Sequence, residues 1–206
     1  MKTEIANALL SIGAVFFRPN EPFTWASGIK SPVYCDNRLI LTAPDVRTLV
    51  ENAIAKTIKE HFNNCEVIMG TSTAGIPHAA IAAYILDLPM GYVRGQVKDH
   101  GRQKQIEGKL LPGQKVVVIE DLISTAGSVI EVVEILKEAK ADVLGIISIF
   151  TYNMQKGRLK DIKHISLTDF ETMAKAAADS GYIKKEDIKA LIKFRDNPSD
   201  ESWRTI

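Results

Sequence analysis

Cysteine is scarce in this chain. Cys35 and Cys65 are the only two among 206 residues, they lie far apart, and neither belongs to a metal-type pair. No disulfide framework is indicated, and a reducing cytoplasm is the expected compartment. Charge of one sign is also lacking: the formal net charge is +1. No global field therefore favours nucleic acid or an anionic membrane, and any anion site must be built locally. No apolar run approaches the length that crosses a bilayer. The opening Met1-Lys2-Thr3-Glu4-Ile5 is too polar for a signal peptide. No internal repeat or low-complexity segment stands out. What remains, with 46% hydrophobic and 25% charged residues, is the composition of a soluble globular protein with one sizeable core.

The patterning is that of alternating strands and helices. Ile5, Leu9 and Ile12 recur at helical spacing. A stretch rich in Pro and Gly, Arg18 to Arg38, reads as turns and short strands. Pro44 suits the first position of a helix whose face carries Val46, Leu49, Val50, Ala53 and Ile54. Short apolar runs follow at Val67 to Met69, Met90 to Val93, Val116 to Ile119, Val143 to Phe150 and His164 to Leu167. Helical patterns lie between, at Ile76 to Leu86 and Ser128 to Lys140. Such alternation predicts an α/β fold, a twisted and mainly parallel sheet covered on both faces. Ligands of such sheets lie beyond the carboxyl ends of the strands, here the loops after Met69, Val93 and Ile119. The segment from Asp169 onward reads as two polar helices with little chemistry. His61 and His164 read as structural, and so does His78. Cys35 has no His partner at motif spacing and is not a candidate nucleophile.

The chemistry concentrates in Val116-Val117-Val118-Ile119-Glu120-Asp121-Leu122-Ile123-Ser124-Thr125-Ala126-Gly127-Ser128. This is a buried strand, two adjacent carboxylates, a turn rich in small hydroxyl residues, and a helix start. Backbone N–H groups and hydroxyls at a helix N-terminus suit a phosphate monoester. Gly127 would allow close approach of the backbone. Two carboxylates beside such a cradle repel phosphate, so they need another task. They accept hydrogen bonds from sugar hydroxyls, and they hold magnesium directly or through water. Phosphoribosyl diphosphate satisfies both halves. A lone helix cap with two solvent-facing acids is the plain alternative, but it accounts for only one of the hydroxyls.

Those thirteen residues resemble the phosphoribosyl diphosphate signature of the type I phosphoribosyltransferases, with Glu120 where Asp is commoner. Three further stretches resemble the orotate-specific branch. They are Phe23-Thr24-Trp25-Ala26-Ser27-Gly28-Ile29-Lys30-Ser31-Pro32-Val33-Tyr34 on the orotate side, the loop Gly70-Thr71-Ser72-Thr73-Ala74-Gly75-Ile76-Pro77 that meets pyrophosphate, and Tyr92-Val93-Arg94-Gly95-Gln96-Val97-Lys98-Asp99-His100-Gly101 with Gln105 to Lys109. The resemblance covers Phe23 through Phe150. It implies a single domain over 1–206, with 1–40 contributing to a small hood, 41–168 forming the core and 169–206 adding C-terminal helices. It also implies a homodimer in which the 94–109 loop is shared between subunits.

The resemblance implies roles as well. Arg94, Lys98, His100 and Asp121 would be catalytic. Substrate would meet Arg94, Lys98, His100, Glu120, Asp121, Leu122, Ile123, Ser124, Thr125, Ala126, Gly127, Ser128, Thr71, Ser72, Lys30 and Tyr34. Mg²⁺ is the expected cofactor, with no direct protein ligand and with Glu120 and Asp121 reached through water. Independently, a polar, Gly-containing run with Arg94, Lys98, His100, Arg102 and Lys104 is too polar to bury itself and suits a lid over a departing pyrophosphate. The chain has Ala26, Ala74 and Gly95 where some members have Lys. It also has no Arg near Thr151 to Asn153 for the orotate carboxylate, so Lys30 or Arg38 is left for that contact. The rival readings are a purine-type phosphoribosyltransferase, a phosphoribosyl-diphosphate-binding regulator and a plain nucleotide-binding α/β protein. The regulator needs a basic surface or a DNA-binding extension, and the last needs no cationic lid.

Overall fold

The computed structural model describes residues 1–24, 28–95, 105–154 and 157–205. Its frame is a six-stranded sheet ordered β10-β9-β8-β5-β6-β7. The strands are β5 (Val67–Thr71), β6 (Met90–Val93), β7 (Ile106–Glu107), β8 (Lys115–Ile123), β9 (Asp142–Thr151) and β10 (His164–Asp169). All neighbours pair parallel except β7, which is antiparallel to β6.

Val116, Val117, Val118 and Ile119 of central β8 have no accessible surface. Val117 and Ile119 join one core cluster, and Val116 and Val118 join the other. Alternation along a strand thus feeds two cores, and each such side chain contributes ~1.5–3 kcal/mol of apolar burial. The first core lies under α2 (Pro44–His61) and α3 (Gly75–Leu86), and the second under α4 (Gly127–Glu138).

Two features position the site. The chain runs β5-α3-β6 toward one edge of the sheet and β8-α4-β9-β10 toward the other. The direction therefore reverses between the paired strands β5 and β8, and the crevice beyond their carboxyl ends is the switch point where open α/β sheets bind ligands. Beside it lie two small antiparallel sheets. One pairs β1 (Val15–Phe17) with β4 (Val33–Cys35), and the other pairs β2 (Phe23–Thr24) with β3 (Lys30–Ser31).

The ends of the chain are less polar in their packing than their composition suggests. Ile5, Ala6 and Leu9 of α1 (Lys2–Ser11) are buried in the first core. So are Met173 and Ala174 of α5 (Phe170–Asp179), Leu191 and Phe194 of α6 (Asp187–Asp196), and Trp203. The Lys2 ammonium donates to Asp169 at 2.7 Å, tying the first helix to the end of β10.

His164 opens β10 with Nε2 2.8 Å from Ser148 Oγ. Burial, with Lys2 nearby, pushes its pKa from 6.5 down to about 4. The folded protein therefore holds this imidazole neutral while the unfolded chain protonates it. Stability is retained above pH 6.5 and declines as pH falls toward 4. His164→Gln is expected to flatten the fall in melting temperature between those limits, as calorimetry at stepped pH would show. An unchanged slope would mean that other groups set it.

Candidate active site

A cleft of about 630 Å³ opens at the switch point. Its walls include Thr71, Ser72, Thr73 and Ala74 after β5, Val93, Arg94 and Gly95 after β6, Glu120, Asp121 and Leu122 of β8, and Ser128 of α4. These are the three loops that the strand pattern singles out, with one adjustment. β8 continues to Ile123, so Glu120 and Asp121 belong to the strand itself.

Glu120 is buried. Thr71 Oγ1 donates to its Oε1 at 2.6 Å, and the Asp121 N–H donates to the same oxygen at 3.0 Å. This contact joins β5 to β8 across the point of reversal. Burial, together with the neighbouring Asp121, raises the Glu120 pKa from 4.5 to about 8. At neutral pH the Glu120 carboxyl therefore holds its proton, and a bound cation or polar ligand would draw it off. Asp121 is anchored through its backbone, since Asn37 Nδ2 donates to its carbonyl at 2.7 Å.

Both helices that begin at the cleft start without a capping side chain among the described residues. α3 starts after Ala74 and α4 after Ala126. The first-turn N–H groups of α4 thus remain available to an anion, assisted by the helix dipole, whereas in α3 Pro77 has no N–H and the Ile76 N–H donates to the Thr73 carbonyl at 3.3 Å, which leaves that of Gly75. Neither Ser124 nor Thr125 caps α4, which removes the plain reading of that turn. The left-handed residue is Ala126, at φ 67°, rather than Gly127. A Cβ on Gly127 would meet nothing within 4 Å, so there is open space beside the helix start. Arg158 Nη1 donates to the Thr125 carbonyl at 3.1 Å and braces the turn.

Gly75 is required for a different reason. A Cβ there would lie 2.5 Å from both the Ile119 carbonyl oxygen and Thr71 Oγ1. Gly75→Ala is expected to cost ~1–3 kcal/mol and to displace the Thr71 hydroxyl from Glu120. Urea titration and an activity assay would check this, and wild-type values in both would contradict it.

The remaining candidates fall into four groups. Ser124, Thr125, Ala126 and Gly127 form the turn adjoining the cleft wall, while Ile123 is buried in the second core. Lys30 and Tyr34 are not among the residues lining the cleft. Lys30 Nζ donates to Thr24 Oγ1 at 2.7 Å, and Tyr34 packs against Phe23 with ring centroids 5.6 Å apart. Lys98 and His100 lie outside the described residues. Arg94 pairs with Glu107 at 2.9 Å, and the Gly95 N–H donates to Ser72 Oγ at 2.9 Å.

Sequence reasoning missed Cys35, Asp36 and Asn37, and also Glu131 and Glu134 of α4, all of which line the cleft. The last two were legible, because Ser128, Glu131 and Glu134 repeat at the spacing of one helical face. Cys35 is no nucleophile: burial, then Asp121 and Asp36, push its thiol pKa well up. His78 is structural, paired at 2.6 Å with Glu51 and as deeply buried as its partner.

Among the described residues no three acidic, His or Cys side chains converge to cage a metal. Two carboxylates at a polar cleft suit magnesium, which keeps its waters and takes substrate oxygens as ligands.

A strand end, two carboxylates and two uncapped helix starts around one crevice suit a sugar bearing phosphates at both ends. Comparison with known proteins gives the family. The family model described as "Phosphoribosyl transferase domain" matches residues 38–182, and the chain belongs to that family. Within it the chain is a member of the orotate phosphoribosyltransferases. It is 54% identical to the orotate phosphoribosyltransferase of Bacillus mycoides (strain KBAB4), over all of both chains. Among solved structures, the orotate phosphoribosyltransferase of Aeropyrum pernix superposes with a TM-score of 0.75 at 26% identity, covering 87% of this chain and 99% of that one. The UMP synthase of Leishmania donovani gives 0.81 at 26% identity over 94% of this chain, which spans 42% of that longer protein. No helix among the described residues is long and apolar enough to cross a membrane.

Proposed function

We propose that the chain transfers the 5-phosphoribosyl group from phosphoribosyl diphosphate to orotate in pyrimidine biosynthesis, giving orotidine 5′-phosphate and pyrophosphate. The observation that carries this is the meeting of Glu120, Asp121 and two uncapped helix N-termini in one cleft. The full-length identity to a curated orotate enzyme supports the choice of base.

In this account the turn 124–128 and the first N–H groups of α4 hold the 5′-phosphate. Glu120 and Asp121 accept the ribose hydroxyls. Thr71, Ser72 and the start of α3 hold the pyrophosphate. Orotate displaces pyrophosphate at the anomeric carbon with inversion, through a transition state resembling an oxocarbenium ion. Orotate is readily deprotonated, so no strong base is needed. Arg94, Lys98 and His100 neutralise charge on the leaving group, and Lys98 or His100 donates a proton to it. Glu120 and Asp121 would hold magnesium through water, and the ion would supply further neutralisation of that charge.

The working unit is a homodimer with residues 94–109 shared between subunits, placed in the cytoplasm. Closure of that loop excludes water that would hydrolyse the activated sugar. The test is loss of orotate absorbance in a mixture with phosphoribosyl diphosphate and magnesium. Loss that needs all three components upholds the reading. Binding of phosphoribosyl diphosphate without loss of orotate discards orotate and directs the search to purine bases.

A further inference from the structure

We propose that Arg38 recognises the carboxylate of orotate, and that Asp36 positions it for that contact. The inference rests on the orotate reading above and deepens it. Orotate differs from uracil by a carboxylate beside the attacking nitrogen. An enzyme that prefers orotate needs a cation at the base end of its cleft. Of the two that the sequence leaves open, Lys30 is occupied with Thr24 and is not part of the cleft wall. Arg38 is part of that wall.

Position separates Arg38 from Arg94, the other arginine lining the cleft among the described residues. Arg94 follows β6, and its neighbour Gly95 is bonded to Ser72, so it belongs to the pyrophosphate end. Arg38 belongs to the segment that Asn37 fastens to β8 through the Asp121 carbonyl. Asp121 is close enough to bear electrostatically on Arg38, as is Tyr34. Arg38 thus stands beside the acids assigned to the ribose hydroxyls, at the end of the sugar away from the pyrophosphate loop, where the incoming base lies.

The guanidinium is held ready. Its Nε donates to Asp36 Oδ1 at 2.6 Å and its Nη2 to Oδ2 at 2.7 Å. The Arg38 N–H donates to Asp36 Oδ1 at 3.2 Å, so the same carboxylate caps the 3-10 helix Asn37–Thr42 and clamps the side chain. Hydrogen bonding to Arg38 lowers the Asp36 pKa, so the clamp stays ionised. A guanidinium has five N–H donors in a rigid plane, and the clamp uses two of them. Among the described residues Nη1 makes no hydrogen bond, which leaves that edge for a second carboxylate. Arg38 is largely exposed and Asp36 partly so, so the pair adds little to stability and replacing Arg38 spares the fold.

The test compares wild type, Arg38→Ala, Arg38→Lys and Lys30→Ala. It reads KM for orotate, the inhibition constant of uracil against orotate, and binding of phosphoribosyl diphosphate with magnesium. Arg38→Ala is expected to raise KM for orotate by ~10-fold or more while uracil inhibition and phosphoribosyl diphosphate binding hold. Arg38→Lys, which keeps the charge and loses the fork, should fall between. Equal weakening of orotate and uracil would mean a merely structural role and overturn the proposal. So would a loss confined to Lys30→Ala. Wild-type turnover of orotate with an unmoved ratio in Arg38→Ala overturns this inference alone. Absence of turnover in the wild type overturns the functional reading and this inference with it.

Discussion

Glu120→Gln is expected to melt higher and work worse than the wild type. Glu120 is buried beside Asp121, with its pKa raised from 4.5 to about 8. Below pH 4.5 both the folded and unfolded forms hold the proton, and this residue costs nothing. As pH rises from 4.5 toward 8, the unfolded chain releases the proton while the folded chain keeps it, so stability falls across that window. Gln carries no such proton, still accepts from the Thr71 hydroxyl, and removes the loss. A gain of ~1 kcal/mol, or ~2–4 °C in melting temperature, follows at pH 8 for a chain of this size. At pH 4 the two proteins should melt alike. Activity moves the other way. Hydrogen bonds to a charged partner are worth ~1.5–3 kcal/mol, so losing the carboxylate that takes the ribose hydroxyls should lower kcat/KM by ~10- to 100-fold. A variant that melts lower than wild type at pH 8 would place Glu120 in a structural ion network instead.

Lys98→Ala is expected to have the largest effect on turnover, a loss of ~10²-fold or more. The argument is electrostatic. Pyrophosphate departs with growing negative charge, and the cleft wall already contributes Glu120, Asp121, Glu131 and Glu134. Arg94 is partly engaged by Glu107. Under the proposed function, the balance would come from Lys98 and His100. The loss should appear in kcat more than in KM for orotate, because the interaction is made in the transition state. Steady-state rates at saturating substrates decide it, and wild-type kcat would end the role assigned to Lys98.

Much of this was legible because the informative residues are local. Runs such as Val116 to Ile119, short and β-branched, favour buried strands, and helices alternate with them, so the parallel sheet and its ligand-binding edge follow. The acids and small hydroxyl residues after the run mark the phosphate turn for the same reason. What escaped depends on contacts distant in sequence. Asn37 reaches Asp121 across the fold, and no periodicity signals that. β7 is only two residues long and its residues pattern as loop, and only its pairing with β6 makes it a strand. Glu120 and Asp121 look like loop residues, so the pattern ends β8 at Ile119, short of its actual end at Ile123. They stay in the strand because β9 pairs with it as far as Ile123. The terminal helices look polar by composition, yet Met173, Leu191, Phe194 and Trp203 form a single buried face.

The central claim is that one cleft holds a sugar by a phosphate at each end. It is tested most directly by a crystal structure of the protein with phosphoribosyl diphosphate and magnesium. The account predicts the 5′-phosphate at residues 124–128 against the start of α4, the ribose hydroxyls on Glu120 and Asp121, and the pyrophosphate at residues 71–74. A ligand bound elsewhere, or turned so that its pyrophosphate lies at the start of α4, would contradict it.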